Sequence, residues 1–236
     1  MRSERLYPDH MLDHAYMDID DVSQQIVLPT GIKVQLRHLQ LSSDGGYRDN
    51  CDLLHLEYAT QLTHMQLQHC NLSNGDGQFQ PDLTMPVLQS LTLVSFMDYL
   101  PSAFWNLSNL QTLNLCCCDQ DTMVDEIGTL SSLKHLDMSA SSLIDVPNCV
   151  FDLSQLESLN ISDIIPPLGM PDSIVELHTW PNLTRLDFRL YTDKYSWLRP
   201  FYEPRLHYTK DSQLNLLQLH EALGPRSDVL FVGGCV

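Results

Sequence analysis

Residues 110–115 read Leu-Gln-Thr-Leu-Asn-Leu. Side chains alternate between the two faces of a β-strand, so the last two leucines of this stretch are expected to share one face. The spacing Leu-x-x-Leu-x-Leu occurs seven times, at steps of 26, 26, 22, 23, 23 and 27 residues. Such regular recurrence predicts an array of stacked repeats. The fourth residues of the seven copies are Leu39, Met65, Leu91, Leu113, Leu136, Leu159 and Leu186.

The segments between these strands carry a second apolar pattern. One repeat cannot bury its own leucines, whereas stacked neighbours bury them together. Apolar residues three positions apart indicate a 3₁₀ turn or a short helix, which we expect on the side of the array opposite the strands. The pattern is found in Leu100-Pro101-x-x-Phe104-x-x-Leu107, Ile127-x-x-Leu130 and Val146-Pro147-x-x-Val150-x-x-Leu153.

The repeat resembles the unit of the leucine-rich-repeat (LRR) family, Leu-x-x-Leu-x-Leu-x-x-Asn/Cys-x-Leu. The resemblance implies an α/β fold: a curved LRR solenoid with a parallel β-sheet on its concave face and short 3₁₀ or α turns on its convex face. Residues 100–113 are similar to intracellular LRRs, namely Ras-group scaffolds and the LRR domains of plant NLR immune receptors. The Asn/Cys position is matched by Cys70 and Cys118 but is occupied by Asp44, Phe96, Ser141 and Ile164 in other copies.

The two ends of the chain lie outside the regular repeats. Residues 1–25 are interpreted as an N-terminal cap, in which Asp9 begins a helix with Leu12, Tyr16 and Ile19 on one face. Residues 26–188 form the array of about seven repeats, and residues 26–29 are a candidate degenerate first strand. Residues 189–236 are interpreted as a C-terminal cap or degenerate repeat.

Within residues 189–236, two readings of one segment stay open. Residues 214–223 fit a helix that ends at Gly224-Pro225, although Leu214-x-x-Leu217-x-Leu219 also fits the strand pattern. Residues 229–232 are predicted to form a final strand that stops at Gly233-Gly234.

A binding surface follows from the resemblance. In an LRR solenoid the polar third, fifth and seventh positions of the strand pattern line the concave face, where a partner docks. Two other segments compete with this surface: the acidic middle of the chain, and the aromatic, basic residues 191–208. The candidate partner-binding residues are His38, Gln40, His64, Gln66, Gln68, Thr92, Thr112, Asn114, Cys116, His135, Asp137, Asn160, Arg185, Asp187 and Arg189.

Composition and charge narrow the class of partner. The chain has 236 residues, of which 43% are hydrophobic, and its net charge is −17. Residues 61–180 contain 14 acidic residues and one basic residue, Lys134. Such a surface repels phosphate backbones and attracts basic groups, so we expect a protein partner with a basic surface and no nucleic acid. The sequence has no apolar run long enough to cross a membrane.

The cysteines and the N-terminus bear on the cellular compartment. The chain has seven cysteines, an odd number, and no apolar leader follows Met1. We therefore expect reduced thiols and a cytoplasmic location. The alternative is a secreted glycoprotein, which would use the Asn-x-Ser/Thr sites at Asn71, Asn106, Asn160 and Asn182.

Several groupings could carry chemistry, and each has a simpler structural interpretation. His38, His64, His69 and Cys70 lack the spacing of a tight metal site, although His38 and His64 should stack. Among Cys116, Cys117 and Cys118, alternation sends Cys118 to the core and keeps adjacent thiols from sharing one ion. Asp119 to Glu126 lacks the glycine of a calcium loop. We predict no catalytic residues, no metal and no cofactor.

The sequence therefore predicts a protein-recognition module, not an enzyme, of the kind found in plant defence signalling. Two alternatives stay open. The chain could be the substrate-recognition arm of a ubiquitin ligase or an LRR-type effector, or it could be a structural scaffold.

Overall fold

The computed structural model describes residues 14–19, 36–43, 60–69, 85–95, 100, 102–118, 125–141, 146–162, 180–190 and 230–235. These residues form a nine-stranded parallel sheet whose strands lie side by side in chain order. The strands are β1 (His14–Ile19), β2 (His38–Ser43), β3 (His64–Gln68), β4 (Ser90–Val94), β5 (Thr112–Asn114), β6 (His135–Asp137), β7 (Ser158–Asn160), β8 (Arg185–Leu190) and β9 (Leu230–Cys235). All seven strands expected from the leucine pattern are present.

The register of the sheet follows the leucine pattern. Residues in the fourth position pair directly across β2 to β8, beginning with Leu39 opposite Met65 and ending with Leu159 opposite Leu186. All seven of these side chains are buried. The leucines of the first and sixth positions are buried beside them, so three apolar ladders form the core. Each fully buried leucine contributes about 1.5–3 kcal/mol relative to its exposed state.

Three 3₁₀ turns lie between strands within the described ranges, at Ser102–Asn106, Asp125–Thr129 and Asn148–Asp152. Each contributes apolar side chains to the core, as the spacing predicted. The turns stack tightly on one another: Thr129 Oγ1 donates to the carbonyl of Trp105 at 2.6 Å. A Cβ added to Gly128 would lie 2.9 Å from the Cβ of Cys149, so only glycine fits there without a shift.

The strands end in a repeated left-handed turn. Among the residues that the structure describes, four non-glycine residues have positive φ, and all four occupy the eighth position of their repeats. This region of backbone space costs an L-residue about 1–2 kcal/mol, which the surrounding hydrogen bonds must offset. The residues are His69 (φ 55°), Ser95 (55°), Cys117 (58°) and Ala140 (54°).

The structure corrects the prediction for the N-terminal end of the sheet and extends the strand predicted at the C-terminal end. The helix expected to carry Tyr16 and Ile19 is wrong, because His14–Ile19 is a strand that pairs in parallel with β2. The final strand is confirmed, but it continues through Gly233 and Gly234 to Cys235. Those glycines pair with Phe188 and Arg189 and do not end the strand.

Several other predictions fall on residues outside the described ranges. They concern Leu12 and the start of the proposed N-terminal helix, the degenerate strand at 26–29, the aromatic segment 191–208 and the helix or strand at 214–223. The boundaries of the two caps stay predictions. Among the described residues, no helix is long and apolar enough to span a membrane.

Candidate functional site

The candidate binding positions lie on one side of the sheet. They form three lines that run across the strands, here called columns three, five and seven after the positions of their residues in the repeat. Apolar positions alternate with them and are buried, as in the pattern exposed-buried-intermediate-buried-intermediate of β3. Pairing in register places equivalent residues of successive strands next to one another. The structure therefore places the predicted positions of successive strands side by side.

Column three contains stacked histidines at its start. The rings of His38 and His64 lie 4.5 Å apart between centroids and 20° from parallel, which confirms the expected stacking. His14 of β1 pairs with His38 in the sheet, so three consecutive strands have histidine at this position. His64 Nδ1 lies 2.9 Å from the hydroxyl of Thr63. Further along, Thr112 is half-buried, and His135 and Arg185 are exposed.

Column five differs between its two halves. In β2, β3 and β4 it contains Gln40, Gln66 and Thr92, all half-buried. None of these three side chains makes a hydrogen bond to another described residue. An amide or hydroxyl in that condition can donate to and accept from a docked partner.

In β5, β6 and β7, by contrast, column five caps the backbone. Asn114 Oδ1 accepts from the N–H of Cys116 at 2.9 Å, and Asp137 Oδ1 accepts from the N–H of Ser139 at 2.9 Å. Asn160 Oδ1 accepts from the N–H of residue 162 at 3.1 Å in the same way. These are Asx turns, in which a short side chain bonds to the backbone two residues on and ends the strand.

A side-chain bridge joins two of these caps. Asn160 Nδ2 donates to Asp137 Oδ2 at 3.0 Å, so both carboxylate oxygens of Asp137 are engaged within the fold. Asn114, Asp137 and Asn160 were predicted as partner-binding residues. A side-chain oxygen of each accepts a hydrogen bond within the turns that close β5, β6 and β7, and contact of these residues with a partner stays a prediction.

The last residue of column five corrects a prediction of exposure. Asp187 was expected on the open surface, but it is 1% exposed. Arg185 Nη2 lies 3.5 Å from Asp187 Oδ2 and compensates part of its charge. A carboxylate this deeply buried requires such partners, because its desolvation is costly. Asp187 is therefore a structural residue of β8.

Column seven contains Gln68 and Cys116, which are both half-buried, and Arg189, which pairs with Gly234 of β9. Cys118 is buried, as expected from the sequence, and its Sγ donates to the carbonyl of Leu93 at 3.3 Å. Ser141, at the Asn/Cys position of its repeat, uses its hydroxyl locally and donates to the carbonyl of Met138 at 2.7 Å.

Strand β1 adds register neighbours that the sequence reasoning missed. His14, Tyr16 and Asp18 pair with His38, Gln40 and Ser42, so they extend columns three, five and seven by one strand. The signal was present in the sequence, since polar His14, Tyr16 and Asp18 alternate strictly with Ala15, Met17 and Ile19.

Three of the described carboxylates in the acidic middle of the chain lie away from the strand face. Asp125, Glu126 and Asp152 are exposed on the second and third 3₁₀ turns, away from the strands. Lys134 forms an ion pair of 3.0 Å with Glu157. Burial raises the pKa of the Cys149 thiol on the third turn, and the Asp125 and Asp152 carboxylates act in the same direction. In the part of the chain that the structure describes, no three metal-ligating side chains converge.

Several known proteins resemble this chain in sequence or in structure. No protein-family model matches the chain. The TMV resistance protein N of Nicotiana glutinosa is 35% identical over 85 residues, which are 33% of this chain and 7% of that protein. An LRR protein of Leptospira interrogans superposes with a TM-score of 0.56 at 22% identity, covering 69% of this chain and 45% of that one.

A plant receptor gives a similar superposition. The Arabidopsis receptor kinase HAESA, solved in complex with the peptide hormone IDA and a co-receptor, has a TM-score of 0.54 at 19% identity. The match covers 75% of this chain and 30% of HAESA. The chain thus spans less than half the length of each of these three proteins. The shared parallel ladder of buried leucines and the 3₁₀ turns identify the fold of this chain as a leucine-rich-repeat solenoid.

Proposed function

We propose that this chain is a protein-recognition module that holds its partner on the strand face of β2, β3 and β4. The observation that carries the proposal is the set of uncommitted hydrogen-bonding groups of Gln40, Gln66 and Thr92. They lie in one row beside the stacked His38 and His64. The half-buried setting of these groups favours directional hydrogen bonds, because water competes less for them than at an open surface.

An extended peptide segment fits such a surface best. Successive strands of a sheet lie about 4.8 Å apart, so a row of amides offers evenly spaced donors and acceptors to a chain that crosses the strands. HAESA, whose fold is similar, was solved with a peptide hormone. The fold neighbour supports a peptide or protein partner without identifying it.

The finer proposal is a role in plant immune recognition. It is supported by the local similarity to the TMV resistance protein N, which covers a third of this chain. In this role the module recognises a ligand and performs no reaction of its own. The described strand face offers hydrogen-bonding groups, and nothing in it requires a reaction step. The ubiquitin-ligase arm, the effector and the scaffold stay alternative predictions.

The proposal is tested by affinity capture from extracts of the native cells, with bound proteins quantified by mass spectrometry. The variant Gln66→Lys places a charge in the centre of the uncommitted row. We expect its specific partner to be captured about tenfold less efficiently, the equivalent of about 1.4 kcal/mol.

The matched control is Ser131→Lys, which adds the same charge at an exposed turn before β6. It should capture the partner as the unmodified chain does. Equal capture by Gln66→Lys and the unmodified chain, with both folded by circular dichroism, would contradict a binding surface on β2, β3 and β4. Loss with Ser131→Lys alone would instead place binding near the turns.

A further inference from the structure

The thiols of Cys116 and Cys117 form an unexpected pair at the end of β5. Their sulfur atoms lie 3.4 Å apart, and both residues are half-buried. Adjacent residues of a regular strand point to opposite faces and cannot share a ligand. The sequence alone predicts that adjacent thiols do not share one ion, yet these two sulfur atoms lie close together, and the backbone explains why.

The left-handed conformation of Cys117 brings the two sulfurs together. Its φ of 58° breaks the alternation that holds through Leu113, Asn114 and Leu115. The side chain of Cys117 turns to the side of Cys116, while Cys118 enters the core. Three consecutive cysteines thus separate into a pair of neighbouring thiols and one buried thiol bonded to the carbonyl of Leu93.

Hydrogen bonds fix the backbone on both sides of the pair. The N–H of Cys116 donates to Asn114 Oδ1 at 2.9 Å, and its carbonyl accepts from the N–H of Ser95 at 3.2 Å. The N–H of Cys117 donates to the carbonyl of Ser139 at 3.0 Å. The turns that follow β4 and β6 therefore hold the backbone of both cysteines in place, so that a ligand needs to order only their side chains.

We propose that Cys116 and Cys117 form a two-thiolate binding site for a soft, thiophilic metal ion. With metal–sulfur bonds of about 2.3 Å, a sulfur separation of 3.4 Å corresponds to an S–metal–S angle of about 95°. A tetrahedral angle requires the two sulfur atoms to lie about 3.8 Å apart. Small side-chain rotations that separate them by a few more tenths of an ångström supply this distance. A linear two-coordinate ion fits this pair poorly.

The donor set selects the class of ion. Two thiolates favour soft or borderline ions such as zinc and cadmium over calcium and magnesium, which prefer oxygen. Because the protein supplies two sulfurs, the remaining coordination positions are open to water or to a donor from a bound partner. The site lies in column seven, on the same face as the proposed recognition surface, but it does not depend on that function.

Binding releases protons and involves no oxidation. Each thiol loses its proton as its sulfur bonds to the divalent ion, so two protons leave and the chelated ion carries no net charge with its two thiolates. Affinity must therefore rise with pH while the thiols are protonated in the unbound chain.

The test is a titration of the full chain with cadmium chloride under reducing conditions, monitored by native mass spectrometry and by thiolate-to-metal absorbance. We expect Cys116→Ser and Cys117→Ser each to weaken binding of one equivalent of cadmium by about a hundredfold, because the second sulfur acts at high effective concentration. The double variant should be no weaker than either single variant. Cys149→Ser, which removes a half-buried thiol on the opposite side of the array, should bind cadmium like the unmodified chain.

A second measurement avoids dependence on variants. In the unmodified chain, cadmium should protect Cys116 and Cys117 together from alkylation, as mapped by peptide mass spectrometry, while Cys149 stays reactive. Independent, additive effects of the two substitutions, or alkylation of both thiols at saturating cadmium, would overturn the site. Equal partner capture by Gln66→Lys and the unmodified chain, with intact cadmium binding, would count against the recognition function alone.

Discussion

The strands on the two sides of the β4–β5 junction share a core but differ at their surfaces. Strands β2, β3 and β4 have five or six residues, whereas β5, β6 and β7 have three. The apolar ladder runs through both groups without a change of register. The difference lies in column five, where glutamine and threonine are replaced by asparagine and aspartate.

In β5, β6 and β7 this replacement accounts for the early end of the strands, whereas β8 has Asp187 in column five and still extends over six residues. Asn and Asp are short enough to bond to the N–H two residues on, which withdraws that N–H from regular strand pairing. The longer side chain of Gln40 or Gln66 does not form that turn, and the strand continues. Column five thus forms turns in one half of the array, and in the other half it holds the side chains that we propose for recognition.

The largest effect tests what the two groups share. We expect Leu91→Ala in β4 and Leu136→Ala in β6 each to lower the free energy of unfolding by about 2–5 kcal/mol, since both side chains are buried in one continuous core. Urea denaturation followed by circular dichroism measures both. A cost below about 1 kcal/mol for either variant would show that the core does not extend equally through the two groups.

The next largest effect tests how the two groups of strands differ in column five. Asp137→Ala removes the cap on Ser139 and leaves Asn160 Nδ2 without its acceptor, so it should cost about 1–3 kcal/mol. Gln66→Ala, in the equivalent position of β3, should change the free energy of unfolding by less than about 0.5 kcal/mol. Equal costs in the same denaturation experiment would remove the distinction between the two groups.

The third effect should be equal in size for the turn after β4 and the turn after β6. Ala140 and Ser95 have left-handed backbones, which glycine adopts without steric cost. Ala140→Gly and Ser95→Gly should therefore stabilise the chain by up to about 1 kcal/mol each, after the greater entropy of glycine in the unfolded state is subtracted. Thermal unfolding measures the gain. A loss of stability for both would mean that the turns do not hold positive φ.

The smallest effect concerns the side of the array opposite the strands. Because burial and the Asp125 and Asp152 carboxylates raise the pKa of Cys149, its alkylation rate should reach half-maximum at a higher pH than that of an ordinary cysteine. Asp125→Asn should lower that midpoint slightly. Because the pKa of Cys149 is raised in the folded chain, the contribution of its protonated thiol to the free energy of unfolding is fully present below the ordinary thiol pKa. That contribution decreases as the pH rises toward the raised pKa. An unchanged midpoint in Asp125→Asn would exclude the carboxylate as a cause.

Most of the fold was predictable because the leucine spacing determines both the buried face and the register. The exception at the N-terminus arose from competing periodicities. Leu12, Tyr16 and Ile19 fit helical spacing, but the alternation within His14–Ile19 prevailed, because pairing with β2 satisfies the backbone of that segment.

The candidate site was less predictable because one residue type can serve two roles: the same side chain can cap a turn or bind a partner. An asparagine that caps a turn and one that binds a partner cannot be distinguished by their position in the repeat, as Asn114 and Asn160 illustrate. The approach of Cys116 to Cys117 depends on a positive φ at a non-glycine residue, for which the sequence contains no local signal.

The close approach at Gly128 affects the geometry of the whole array. Strand pairing fixes the separation of successive repeats on one side at about 4.8 Å, so the radius of the arc depends on their separation on the other side. Because a Cβ on Gly128 would meet Cys149 at 2.9 Å, the second and third turns can lie as near as they do only without a side chain there. Any larger residue would push these turns apart and increase the curvature of the array at β6 and β7.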